Sequence, residues 1–209
     1  MGNNQTYKDR ALKSLEGKWV EGIITTLFYV IIAGLVGSII TLPMGQEAYT
    51  MRMGSQGIWT LICLPLGWGF VVYFLNLIRN QDISYGRLFD GYRDFVRIFV
   101  AGLLVLICEA IGFILLIVPG IIGALMFSQT SYILKDDPQV SATEAMKQSM
   151  KMMEGHKMEL FMLWLSFIGW LIVGLLTCGF GFLFLYPYMY SAFAHYYEDL
   201  KAESRTQVF

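Results

Sequence analysis

Apolar residues run along this chain in uninterrupted blocks, each close to the roughly 20 residues that a helix needs to cross the ~30 Å hydrocarbon core of a bilayer. Six such blocks are expected to form helices, near residues 22–42, 58–78, 98–117, 120–135, 160–177 and 180–197. Between Ile98 and Leu134 the only charge is Glu109. As one helix that run would measure about 55 Å, far more than a single crossing absorbs. Pro119-Gly120 stands near its middle and is expected to fold it back as a hairpin, with proline pushing Val118 out of helical geometry. Thr177-Cys178-Gly179-Phe180-Gly181 has the same part between the last two blocks. The fourth block covers only about 23 Å as a helix, so a tilted, extended or re-entrant path stays open.

The polar stretches have their own period. ALKSLEGKW places Leu12, Leu15 and Trp19 on one helical face. From Ser84 to Arg97, Tyr85, Leu88, Phe89, Tyr92 and Val96 form a stripe, with Arg87, Asp90, Arg93, Asp94 and Arg97 away from it. Ser141-Ala-Thr-Glu144 is a capping box that opens a third helix. Its apolar side holds Ala142, Ala145, Met146, Met150 and Met153, its polar side Lys147, Lys151 and Glu154, and Gly155 ends it. Each of these helices precedes a hairpin, and MFSQTSYILKDD (Met126 to Asp137) echoes MYSAFAHYYEDL (Met189 to Leu200), so a repeated helix-plus-hairpin unit is one reading. Such helices rest in the headgroup layer or pack against the ends of the spans.

Composition agrees with a lipid environment. Of 209 residues 56% are hydrophobic and 15% charged, against roughly 25% charged in soluble domains. The net charge of −1 provides no basic field for nucleic acid, which is excluded as a partner. Cys63, Cys108 and Cys178 lie inside apolar blocks without CxxC spacing and read as buried hydrophobes. With six crossings, fourteen of the fifteen Lys and Arg residues fall on the side of the two termini, and Arg52 alone on the other. Cytoplasmic loops retain basic residues, so both ends are expected in the cytoplasm of a bacterial cell, with the spans in its inner membrane. The first twenty residues lack the apolar core of a cleavable signal.

Few residues carry candidate chemistry. Glu109, about 18 Å beyond Arg97 along a helix, is the one ionisable group deep in a block. In a hairpin turning at Pro119-Gly120, Gln129 comes to equal depth and is expected to share a hydrogen bond with it, either as interhelical glue or in an ion or proton pathway. His195 and Tyr188 stand among the tyrosines of the last block, which form either a polar lining or an interfacial belt. Arg87, Arg93, Arg97, Lys147, Lys151 and Lys157 are candidates for lipid headgroups. Asp136-Asp137 before Pro138 reads as a solvated turn rather than a cation site. No nucleophile–base pair, HExxH or paired-acid motif is present, so neither catalysis, metal nor cofactor is expected.

The residues DDPQVSATEAMKQSMKMMEGHKMELFMLWLSFIGW (Asp136 to Trp170), the preceding IVPGIIGALMFSQTSYIL and the closing PYMYSAFAHYYEDL resemble the bacterial family called domain of unknown function 975. ALKSLEGKW and RNQDISYGRLFDGY fit it as well. The resemblance implies a helical, membrane-embedded fold and carries no activity, ligand or catalytic residue. The expected protein is all-α and polytopic: six spans in three hairpins with cytoplasmic amphipathic helices. Its expected partners are membrane lipids, other membrane proteins or further copies of itself. A small transporter or channel built on Glu109, Gln129 and the last span is the alternative.

Overall fold

The computed structural model describes residues 2–41 and 49–206. Residue 42, the end of the first expected span, and residues 43–48 of the segment leading to the second lie outside them. No strand occurs among the described residues; their regular structure is twelve α-helices, a π-helical stretch and one 3-10 helix.

The first helix, α1 (Asn4–Leu15), buries Tyr7, Ala11 and Leu15, one face at four-residue steps. This corrects the expected stripe. Leu12 is exposed, and Trp19 belongs to the next helix because Gly17, at φ +74°, ends the turn after Leu15 in the left-handed region. Helix α2 (Trp19–Val30) continues through a π-helical stretch (Ile31–Val36) into α3 (Gly37–Thr41). Helices α4 (Tyr49–Ile62) and α5 (Leu64–Ile78) meet at a 43° bend beside Pro65.

The segment after α5 is a 3-10 helix over Tyr85–Tyr92, where a continuous α-helical stripe to Val96 was expected. Leu88 is buried, while Tyr85, Phe89 and Val96 are exposed. Backbone contact with α5 explains the tighter coil. A Cβ on Gly69 would lie 2.0 Å from the Leu88 carbonyl oxygen, and one on Gly91 2.3 Å from that of Pro65. Two backbone segments meet there with no side chain between them.

Helices α6 (Phe95–Leu115) and α7 (Ile117–Phe127) pack against each other, and the break between them is at Leu116, which alone is extended (φ −169°, ψ 157°), not at Pro119-Gly120. Val118 is helical, and Pro119 sits in the first turn of α7, where a missing N–H leaves no intrahelical bond unmade. Helix α8 (Thr130–Asp136) follows α7 after a two-residue break. Helix α9 (Ala142–Met152) begins at the expected cap, with Ser141 Oγ accepting the Glu144 N–H at 3.3 Å, and Gly155 (φ +81°) lies just beyond its end. It buries Ala142, Ala145, Met146 and Ser149, while Met150 faces outward, contrary to the expected stripe. Helices α10 (Lys157–Leu165) and α11 (Ile168–Leu176) make one apolar run. The turn to α12 (Phe180–Thr206) uses Cys178 (φ 52°) and Gly179 (φ 95°), and Thr177 Oγ1 accepts the Gly181 N–H at 2.8 Å.

Among the described residues, four helical runs are long and apolar enough to cross a membrane: Trp19–Ile39, Phe95–Leu115, Ile117–Asp136 and Lys157–Leu176. The bent α4–α5 pair makes a fifth. Helix α12 is the longest single helix among the described residues, with tyrosines and Pro187 in its middle and its charges gathered from Glu198 onward. It occupies the interior instead: Leu185, Tyr188, Ala192, Tyr196 and Leu200 pack in one core with α1 and with Phe70, Tyr73 and Phe74 of α5. Helix α6 is the opposite case, burying only Ile98 and Ala101. Cys108, on α6, and Cys178, in the turn before α12, are exposed rather than buried as expected.

Candidate functional site

Glu109 is half-buried on α6, and neither a hydrogen bond nor an ion pair joins it to any described residue. It stands where two pockets meet, with volumes of about 400 and 590 Å³. Val71, Val105, Phe127 and Ser131 line both. The first extends toward Tyr29, Trp59, Trp68 and Thr130, the second toward Phe113, Gln129, Trp164 and Tyr190. The α5–α6–α8 packing therefore keeps a carboxyl group beside apolar and aromatic walls with little competing charge.

The expected Glu109–Gln129 hydrogen bond is not formed. Leu116 is the true turning point, so the residue as far after it as Glu109 is before it is residue 123, six short of Gln129. Gln129 occupies the break between α7 and α8 and turns to its neighbours there. Its Nε2 donates to Ser128 Oγ at 2.8 Å and contacts Met153 Sδ at 3.7 Å, while its backbone N–H donates to Ser149 Oγ. Gln129 Oε1 and Thr130 Oγ1, both buried, have no partner among the described residues. Unpaired buried polar atoms are uncommon, and these two belong to the walls of the two pockets.

His195 and Tyr188 are apart from this site. His195 Nε2 bonds Ser14 Oγ of α1 at 2.8 Å, one turn from the Arg10–Asp199 ion pair. Tyr188 is buried edge-on against Phe167 and Trp170. The tyrosines of α12 point into the bundle, so the interfacial belt is replaced by interior packing: Tyr190 against Phe70 and Phe74, Tyr196 against Tyr7, Tyr197 stacked on Tyr132.

Asp136 is not a solvated turn. Arg79 grips both of its carboxylate oxygens at 2.5 and 2.9 Å, the Tyr197 hydroxyl donates to it at 2.8 Å, and Lys201 contacts it too. Arg79 also pairs with Glu198. Burial would lower the Arg79 guanidinium, but hydrogen bonds to Asp136 and Glu198 outweigh it and push the group above its ordinary value. Asp136 is thus saturated by cations and has no capacity for a divalent ion. No group of three or more His, Cys, Asp or Glu residues suited to a metal occurs among the described residues. Nothing in the sequence marked this network, because Arg79 and Lys201 are 57 and 65 residues from Asp136.

The headgroup candidates divide in two. Arg97 donates to the carbonyls of Leu134, Asp137 and Val140, closing the C-terminal end of α8, and Arg87 is paired with Asp82 and Asp90. These two are structural. Arg93 is largely exposed and makes only a long contact to Asp90. Lys147 and Lys151 are exposed and Lys157 half-buried, none with a partner among the described residues.

Residues 105–204 match the family described as Protein of unknown function (DUF975). This stretch of the chain belongs to that family. The DUF975 match runs from the middle of α6 to the end of α12 and so includes Glu109, Gln129, Asp136, α9 and His195. ALKSLEGKW and RNQDISYGRLFDGY lie ahead of it. No curated protein and no solved structure matches the chain.

Proposed function

We propose that this is a bacterial inner-membrane protein of six crossings, with both termini cytoplasmic, that acts without catalysis through contacts with lipid and with other membrane proteins. The apolar part of α12 supplies the sixth crossing, held inside the others. The outer side of α9 carries the proposal. Lys147, Met150 and Lys151 are exposed at consecutive turns while the opposite side is buried against the bundle. A flexible apolar side chain between two unpaired cations suits the boundary of acyl chains and anionic headgroups, where each lysine contributes about 1 kcal/mol. Lys157 and Arg93 extend that surface.

Lipid retention tests this reading. Purified protein is exchanged through neutral detergent and its residual phospholipid is quantified. The wild type is expected to keep anionic lipid, and Lys147→Gln, Lys151→Gln and Lys157→Gln together to release most of it while remaining monodisperse. Equal retention by both proteins refutes the lipid role. Reporters fused at each terminus and near Ser55 test orientation, with cytoplasmic signal expected at both ends and external signal near Ser55.

A small transporter or channel is the second reading. It is favoured by one observation, the unpaired Glu109 carboxyl at the meeting of two pockets.

A further inference from the structure

The geometry points to a binding site for a lipophilic organic cation, its charge held by Glu109 and its apolar body lodged in the two pockets that meet there. The inference deepens the second reading above by naming a ligand class.

Charge gives the sign. A carboxyl retained in an apolar span, with no hydrogen bond or ion pair to a described arginine, lysine or histidine, lacks the partner that such groups ordinarily have. Pocket size and lining give the class. Volumes of about 400 and 590 Å³ match sites for ligands of drug size, which combine apolar walls with a few placed polar groups. The indole N–H groups of Trp59 and Trp68 are already committed to the carbonyls of Ala33 and Ser131, so these residues offer a ligand ring surface, which attracts cations. Gln129 Oε1 and Thr130 Oγ1 are buried acceptors without partners in the walls. An inorganic divalent cation fits poorly. It needs six or more oxygen ligands, and one carboxylate among aromatic rings does not supply them.

The probe is tetraphenylphosphonium, a cation with an apolar shell, and the control is tetraphenylborate, its anionic counterpart of similar shape. Protein in nanodiscs of uncharged lipid is titrated by equilibrium dialysis against empty nanodiscs. Saturable binding of about one cation per chain is expected, weakened at least tenfold in Glu109→Gln and retained in Glu109→Asp, with no saturable uptake of the borate. Val105→Trp, which fills the space common to both pockets without altering the carboxyl, is expected to abolish binding as well, and decides the matter if Glu109→Gln fails to fold. No saturable binding, equal affinity in wild type and Glu109→Gln, or equal uptake of the borate would overturn the site. Counterflow of the same cation in liposomes separates this inference from the reading beneath it. Binding without counterflow removes the transporter and keeps the site, whereas flux of other ions without tetraphenylphosphonium binding does the reverse.

Discussion

Arg79 and Asp136 lock the end of α5 to the end of α8 through a two-pronged ion pair with N–O distances of 2.5 and 2.9 Å. Both side chains are mostly shielded, with 20% and 14% of their surface exposed. Removal of one partner therefore strands the other in a poorly hydrated place, an effect of about 3 kcal/mol. Arg79→Ala is expected to lower the apparent melting temperature in detergent by about 6–12 °C. Asp136→Asn should cost a similar amount by stranding Arg79 and Lys201. The double variant should lose clearly less than the two single losses together, and strict additivity would show the pair to be energetically idle.

Gly69 and Gly91 test the contact between α5 and the 3-10 helix. In both places a methyl group meets backbone, at 2.0 and 2.3 Å, and backbone cannot rotate aside. Gly69→Ala and Gly91→Ala are each expected to abolish recovery of monodisperse protein. Gly123→Ala is the matched control, since nothing lies within 4 Å of its added carbon. It should be neutral or stabilise by up to about 1 kcal/mol through helix propensity. Size-exclusion profiles of the three variants, purified in parallel, provide the comparison.

Tyr7 gives a pH dependence. Burial, partly opposed by the Gly2 N–H, pushes its hydroxyl up to about 12, and the Asp199 and Glu159 carboxylates add to the rise. Unfolded tyrosine ionises near pH 10. Between these values the unfolded chain has released a proton that the folded chain still holds, so stability falls as pH rises through that window. Below about pH 10 neither state is ionised at this group and the dependence vanishes. Tyr7→Phe is expected to show a smaller loss of melting temperature than wild type between pH 9.5 and 11.5, values set by the range from ~10 to ~12. Identical slopes would mean that Tyr7 ionises as freely in the fold as outside it.

The elements legible in the sequence are those whose determinants lie within a few residues of one another. Ser141 and Glu144 announced α9, and Cys178-Gly179 announced the last turn, because a cap or a left-handed pair acts locally. The apolar runs of α6 and α11 were equally plain. Misplacement began where position depended on counting from a distance. Proline looked like the corner of the α6–α7 hairpin, but a helix accepts proline in its first turn, and the corner fell three residues earlier at Leu116. That small displacement was enough to separate Glu109 from Gln129. The Asp136 network and the inward tyrosines of α12 were beyond sequence periodicity altogether, since they depend on which helices become neighbours. Helix α12 looked like a lipid-facing span with an aromatic belt because pattern alone does not distinguish a helix surrounded by helices from one surrounded by lipid.

Ser149 provides the last test, because it holds the α7–α8 break in place. Its hydroxyl donates to the Met126 carbonyl at 2.7 Å and accepts the Gln129 N–H at 3.2 Å, and its side chain is fully buried. One hydroxyl thus satisfies a carbonyl from the end of α7 and an amide from the start of α8, both freed by the break. Ser149→Ala leaves these two groups unpaired at about 1–3 kcal/mol each, less whatever water recovers. Ser149→Cys keeps the size and a weak donor and should fall between wild type and alanine. Hydrogen exchange distinguishes this role from ordinary packing. In Ser149→Ala the amide of Gln129 is expected to lose protection selectively while those of α6 keep theirs; a uniform loss across the bundle would assign Ser149 to general packing instead.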